Sequence, residues 1–144
     1  MRKFYWILLL AFTGLIFFHS SLPAADSNLE SYFFAKIFQS LLMLIGRPED
    51  LPAVNHFVRK AAHYTEFFIQ ALLLCKAFSS LGLSRMSSAG CILFLGLATA
   101  VTDEYIQLFS PGRAGMIVDV ILDFSGTLTA FFCYQLWSMR RKDD

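Results

Sequence analysis

TDEYIQLFSPGRAGMIVDVILDFSG, residues 102–126, decides how this chain is read. Apolar runs long enough to enter a membrane lie on both sides of it, yet it carries Asp103, Glu104, Asp119 and Asp123. A carboxylate at the centre of a membrane helix costs about 2.5–3.5 kcal/mol on insertion scales. Carboxylates kept at such positions are as a rule paired, hydrated and functional. His63, Glu66 and Gln107 fall at similar depth in their own segments and join the group.

The surrounding composition supports the membrane reading. Of 144 residues, 56% are hydrophobic and 16% are charged. A soluble domain is about 45–50% apolar and about 25% charged. The surplus comes in blocks, so the expectation is an all-α, small polytopic membrane helix bundle forming one domain over residues 1–144. A net charge of +1 points to no particular partner, and no nucleic acid is expected as one. Cys75, Cys91 and Cys133 lie in separate apolar runs without metal spacing and read as small hydrophobes.

Outward from the deciding stretch, the hydropathy gives about four transmembrane helices, at about 4–20, 61–83, 88–108 and 116–138. The first follows Met1-Arg2-Lys3 and reads as an uncleaved helix extended by His19 and Ser20; a signal peptide with a poor cleavage site is the alternative. An amphipathic helix is expected at about 29–46. Phe33, Phe34, Ile37, Phe38 and Leu41 keep helical spacing there, but Glu30, Lys36, Gln39 and Ser40 interrupt it, so it is interfacial or re-entrant rather than spanning. Basic residues set the orientation. Arg2, Lys3, Lys76, Arg85, Arg140, Arg141 and Lys142 share one side, which places both termini in the cytoplasm and the chain in the plasma membrane as a multi-pass protein. Arg47, Arg59, Lys60 and Arg113 then fall outside, against the rule, as cations kept to bind something anionic.

On this topology three helices place their polar residues at the same end. His56, Arg59 or Lys60, His63 and Glu66 recur on one helical face. Asp103 and Gln107 are four apart, as are Asp119 and Asp123, so each pair shares a face about 6 Å along its axis. Gly115 and Gly126 extend the second stripe and let a neighbouring helix come close. Polar residues can also serve only to join helices, at about 0.6 kcal/mol per bond, through pairs such as Arg113–Asp119 or Lys60–Glu66. Five acidic groups and a histidine exceed what joining requires.

These residue types suit an anionic lipid. Arg59, Lys60, Gln107 and Arg113 are the candidate substrate-binding residues, since guanidinium groups grip phosphate in a planar, bidentate way. His63, Glu66, Asp103, Glu104, Asp119 and Asp123 are the candidate catalytic residues, with His63 as acid or base. Asp119 and Asp123 either share a proton or hold a divalent cation such as Mg²⁺. Membrane lipids and a polyprenyl-linked or other anionic lipid are the expected partners. The alternative is a non-catalytic accessory protein that binds an anionic lipid precursor or an amphiphilic antibiotic. A transporter of four helices would have to oligomerise, and no repeat or broken helix supports one; the oligomeric state itself is not written in the sequence.

The stretches Arg59-Lys60-Ala61-Ala62-His63-Tyr64-Thr65-Glu66-Phe67, Thr102-Asp103-Glu104-Tyr105-Ile106-Gln107, Pro111-Gly112-Arg113 and Asp119 to Gly126 together resemble the VanZ-like membrane protein family. The resemblance runs from about Arg59 to the C-terminus. It implies an integral membrane protein of the bacterial cell envelope, in a family whose founding member is associated with low-level resistance to the glycopeptide teicoplanin. The Phe-rich stretch before Arg59 matches none of its motifs.

Overall fold

Five helices make up the structure, a computed structural model that describes residues 2–47 and 49–143. They are α1 (Arg2–Ser21), α2 (Ala24–Leu44), α3 (Leu51–Ser79), α4 (Arg85–Gln107) and α5 (Ile117–Asp143). Three stretches within them are long and apolar enough to cross a membrane: Lys3–Ser21, Met86–Gln107 and Ile117–Arg140. They make this an all-α, multi-pass membrane bundle. Phe4, Ile7, Phe94, Ile121 and Phe132 point outward from it as a lipid-facing surface.

Each boundary has a local cause. Pro23 separates α1 from α2 with φ −54° and ψ 149°, an extended setting that its ring favours. At the end of α2, Gly46 takes φ +74°, and Arg47 N–H donates to Leu42 O while Gly46 N–H donates to Met43 O. This is the double bond of a Schellman cap, which a left-handed glycine allows. Pro52 occupies the first turn of α3, where a missing N–H breaks no helical bond. Ser84 caps α4 by accepting from Ser87 N–H at 3.1 Å.

The longest helix, α3, touches each of the other four. That position explains how it carries Arg59, Lys60, His63, Glu66, Gln70 and Lys76: neighbouring helices shield one face of it from hydrocarbon. Gln70 is buried and donates to Thr13 Oγ1 at 2.8 Å and Thr99 Oγ1 at 3.3 Å, so a mid-helix amide joins three helices. Below it Leu9, Leu74, Cys75, Phe78, Ile92 and Phe131 form an apolar cluster at the far end of the bundle from the polar residues. Ile16, Phe67 and Ala100 form a second cluster nearer to them. Cys75 is buried as expected, whereas Cys91 and Cys133 face outward; all three are free thiols.

Two elements differ from the expected spans. α3 begins at Leu51 rather than near residue 61, because Asp50 and Pro52 start a helix well before the apolar run. α2 begins at Ala24, directly after the proline, and folds back along α3; Ala35 packs there without exposure, and the Phe38 and Phe57 rings stack at 5.7 Å.

α3 and α5 share the most extensive helix contact and approach closely at Gly126. A Cβ on Gly126 would lie 2.5 Å from the Tyr64 carbonyl oxygen, which is backbone and has no rotamer to yield. Gly126→Leu is therefore expected to destabilise the folded protein by about 1–3 kcal/mol, read as earlier unfolding in detergent. Gly14→Leu, at a position with open space around it, serves as the control and should unfold like the parent.

Candidate functional site

The polar residues converge where α1, α4 and α5 end or begin, around the middle of α3. His63, half-buried on α3, points its Nδ1 between two fully buried carboxylates. Asp103 Oδ2 on α4 is 3.8 Å away and Asp123 Oδ1 on α5 is 3.9 Å away. The three donor atoms lie within 4.8 Å of one another. Asp103 is well held: Ser20 Oγ donates to its Oδ1, and Gln107 Nε2 donates to its Oδ2 at 3.1 Å. Asp123 is not. Neither of its oxygens has a hydrogen-bond partner, and neither has His63 Nδ1. A buried carboxylate without partners costs several kcal/mol.

The remaining carboxylates have partners. Asp119 pairs with Lys60. Glu104 accepts from Gln107 Nε2 at 3.0 Å and from Met116 N–H at 2.8 Å, which ties α4 to the start of α5, where helix geometry favours negative charge. Glu66 Oε1 meets His19 Nδ1 at 2.9 Å. Among the described residues Lys60 thus pairs with Asp119 and Glu66 with His19, different from the pairs the spacing suggested.

A cavity of about 230 Å³ opens beside this cluster. His19 of α1, Ser31 and Phe34 of α2, Arg59, His63 and Glu66 of α3, and Arg113 of the α4–α5 loop line it. Arg59 Nη1 donates to Asn28 Oδ1 at 3.1 Å, but Arg59 Nε and Arg113 Nε and Nη1 have no partner. Burial first, and then the positive charge of Arg59, lower the proton affinity of Arg113; an arginine nonetheless stays charged. On the other side of His63 a cleft of about 10 Å³ is lined by Lys60, Glu104, Gln107, Asp119 and Asp123 among others. That is room for one water or one ion. His63 and Arg59 line both spaces.

Every candidate residue lies in this region, arranged in layers. His63, Asp103 and Asp123 form the centre. Arg59, Glu66 and Arg113 face the cavity, and Lys60, Glu104, Gln107 and Asp119 face the cleft. His56 is exposed and lines neither space, although α3 does start early enough to include it. Sequence reasoning missed His19, Ser20, Asn28 and Ser110. Ser110 Oγ donates to Ser20 O at 2.8 Å and Ala24 N–H donates to Pro111 O at 3.0 Å, so the α1–α2 junction is fastened to the α4–α5 loop. The available signal was depth: His19 and Ser20 end the first apolar run just as Gln107 ends the third.

The profile of the VanZ/LLP1 family matches residues 4–138. The chain belongs to the VanZ/LLP1 family. It is a VanZ-family membrane protein of the bacterial envelope. No curated protein and no solved structure matches it. The VanZ match covers α1 and α2 as well as the motifs after Arg59, so the helices before those motifs are part of the family's fold.

His63, Asp103 and Asp123 can hold a metal ion. Two bonds of about 2.1 Å reach across about 4.2 Å; His63 Nδ1 lies 3.8 and 3.9 Å from the two carboxylate oxygens, and all three atoms lie within 4.8 Å of one another. The unpartnered oxygens of Asp123 are the free acceptors such an ion needs. This set differs from the Asp119–Asp123 pair suggested by spacing, because Lys60 already neutralises Asp119.

Ser20 supports Asp103 across two helices. Ser20→Ala should cost about 1–3 kcal/mol in otherwise native protein and little in an Asp103→Ala background. Detergent unfolding of the four proteins of this double-mutant cycle measures the difference.

Proposed function

We propose that this chain is an enzyme that cleaves or transfers the phosphate group of an anionic lipid at the external face of the plasma membrane. The observation that carries the reading is Asp123, fully buried and unpartnered, facing an equally unpartnered His63 Nδ1. Joining helices explains Lys60–Asp119 and Ser20–Asp103; it does not explain a carboxylate left without partners. Arg59 and Arg113 line the adjoining cavity, and guanidinium groups are the donors a phosphate takes.

In this reading the whole chain acts as one unit with both termini in the cytoplasm. α3 is the fourth span, and α2 lies along it at the headgroup level. Arg59 and Arg113 bind the phosphate. Glu66, with His19, borders the cavity, and Glu104 and Gln107 fix Asp103 and the start of α5. Lys60 and Asp119 close the cleft. Two chemistries use the central residues. Without a metal, His63, oriented by Asp103 and Asp123, takes the proton of the attacking water or alcohol as its oxygen bonds to phosphorus, and gives that proton to the leaving oxygen as the old phosphorus–oxygen bond breaks. A divalent cation on His63, Asp103 and Asp123 would supply charge neutralisation of the phosphate oxygens. An imidazole among the ligands moves the preference from Mg²⁺ toward Mn²⁺ or Zn²⁺. A changed supply of lipid-linked precursors is the route by which the family's link to teicoplanin would arise.

The full chain in detergent should release phosphate from polyprenyl phosphates or pyrophosphates, assayed with Mg²⁺, Mn²⁺, Zn²⁺ or chelator. Asp123→Asn and His63→Ala should each lower kcat by about 100-fold or more while circular dichroism stays native. Arg113→Ala should raise KM about tenfold with a smaller change in kcat. Saturable lipid binding without turnover under every metal condition would replace catalysis by the accessory, binding role. Neither binding nor turnover would remove both.

Orientation has its own test. In a protein lacking the three native cysteines, Ala114→Cys in the exposed α4–α5 loop should react with an impermeant maleimide on intact cells. Labelling only after permeabilisation would reverse the topology.

A further inference from the structure

We infer that the groove between α2 and α3 takes the hydrocarbon chain of a single-chain lipid phosphate whose head group sits at Arg59 and Arg113. The inference rests on the anionic-lipid reading above and specifies what kind of lipid it is. The groove, about 320 Å³, is lined on α2 by Phe34, Ile37 and Leu41 and on α3 by Phe57, Val58 and Ala61. No charged residue lines it. Phe34 and Val58 also line the cavity that Arg59 and Arg113 line, so the groove adjoins that cavity.

Cavity and groove together change character along their length. At one end are Arg59, Arg113 and His63 together with Glu30 and Glu66; at the other are only aromatic and aliphatic side chains. That sequence of surfaces matches an anionic head followed by a hydrocarbon tail. From Phe34 to Leu41 the α2 wall runs about 10 Å along the helix axis, with the stacked Phe38 and Phe57 rings beside it. The exposure of Phe34, Ile37, Leu41 and Phe57 leaves these side chains available to a tail. One such groove adjoins the cavity among the described residues, and one groove takes one chain.

Two measurements test this. In the first, Trp6 and Trp137 are replaced by Phe, and Phe57→Trp supplies a reporter inside the groove. A single-chain alkyl phosphate brominated along its chain should quench that tryptophan saturably in detergent, and Arg113→Ala should weaken the apparent affinity about tenfold or more. The brominated alcohol of equal length should quench it no more than it quenches Phe94→Trp on the lipid-facing side of α4. Equal quenching by the alcohol and the phosphate would reduce the groove to ordinary lipid contact and overturn the inference. A brominated diacyl phosphate that quenches better than the single-chain probe would also overturn it.

In the second, Ala61→Trp fills the groove while His63, Asp103 and Asp123 are untouched. It should weaken binding of a long-chain phosphate about tenfold or more, at roughly fourfold per methylene displaced, and leave a two-carbon alkyl phosphate unaffected. Equal binding of both chain lengths to parent and variant would sink the groove while leaving the head-group site in place. Because both readouts are binding, a protein that binds in this way without turnover would refute the catalytic reading alone.

Discussion

The bundle is organised around two carboxylates that cannot be left to hydrocarbon. Asp103 and Asp123 have no exposed surface and face one imidazole from two helices. An isolated charge in such a place is far more expensive than a hydrogen bond is favourable. The helices must therefore bring compensation: Ser20 from α1, His63 from α3, Gln107 from α4 itself. The close approach of α3 and α5 at Gly126 is what brings Asp123 within reach of His63. Packing and polarity are in this sense one constraint, since the glycine contact serves the charge cluster as much as the apolar core.

The connection between the α1–α2 junction and the α4–α5 loop gives the site its shape. Ser110 and Pro111 accept or donate across to Ser20 and Ala24. Arg113 lies just beyond them in the same loop and reaches the cavity. α2 is thereby fixed at its start and supplies Ser31 and Phe34 to the cavity wall. The helix that the sequence suggested as an interfacial accessory is part of the site's enclosure.

Much of this was legible in the residues themselves. The i, i+4 spacing of Asp103 and Gln107 predicts a shared face, and the structure shows the hydrogen bond. The spacing of Asp119 and Asp123 likewise predicts a shared face, and both line the small cleft. Gly126 was readable as a point of close approach because an absent side chain has few other uses inside a membrane helix. Which residues pair was not readable. Lys60 reaches Asp119 rather than Glu66, and Glu66 finds His19, because pairing depends on the rotation of helices far apart in sequence. The start of α3 was hidden for a different reason: hydropathy detects the apolar run from about residue 61, whereas the helix is set by Asp50 and Pro52.

The scatter of Ser20, His63, Asp103 and Asp123 along the chain bears on biogenesis. A chain is made from its N-terminus, so Ser20 and His63 are already in place when Asp103 emerges. Asp123 arrives last, on the final helix. Until α5 is inserted, His63 has only one of its two carboxylates, and the cleft between them does not exist. A nascent chain interrupted before that point already holds every partner of Asp103, namely Ser20, His63 and Gln107, so that the first half of the cluster can assemble without α5.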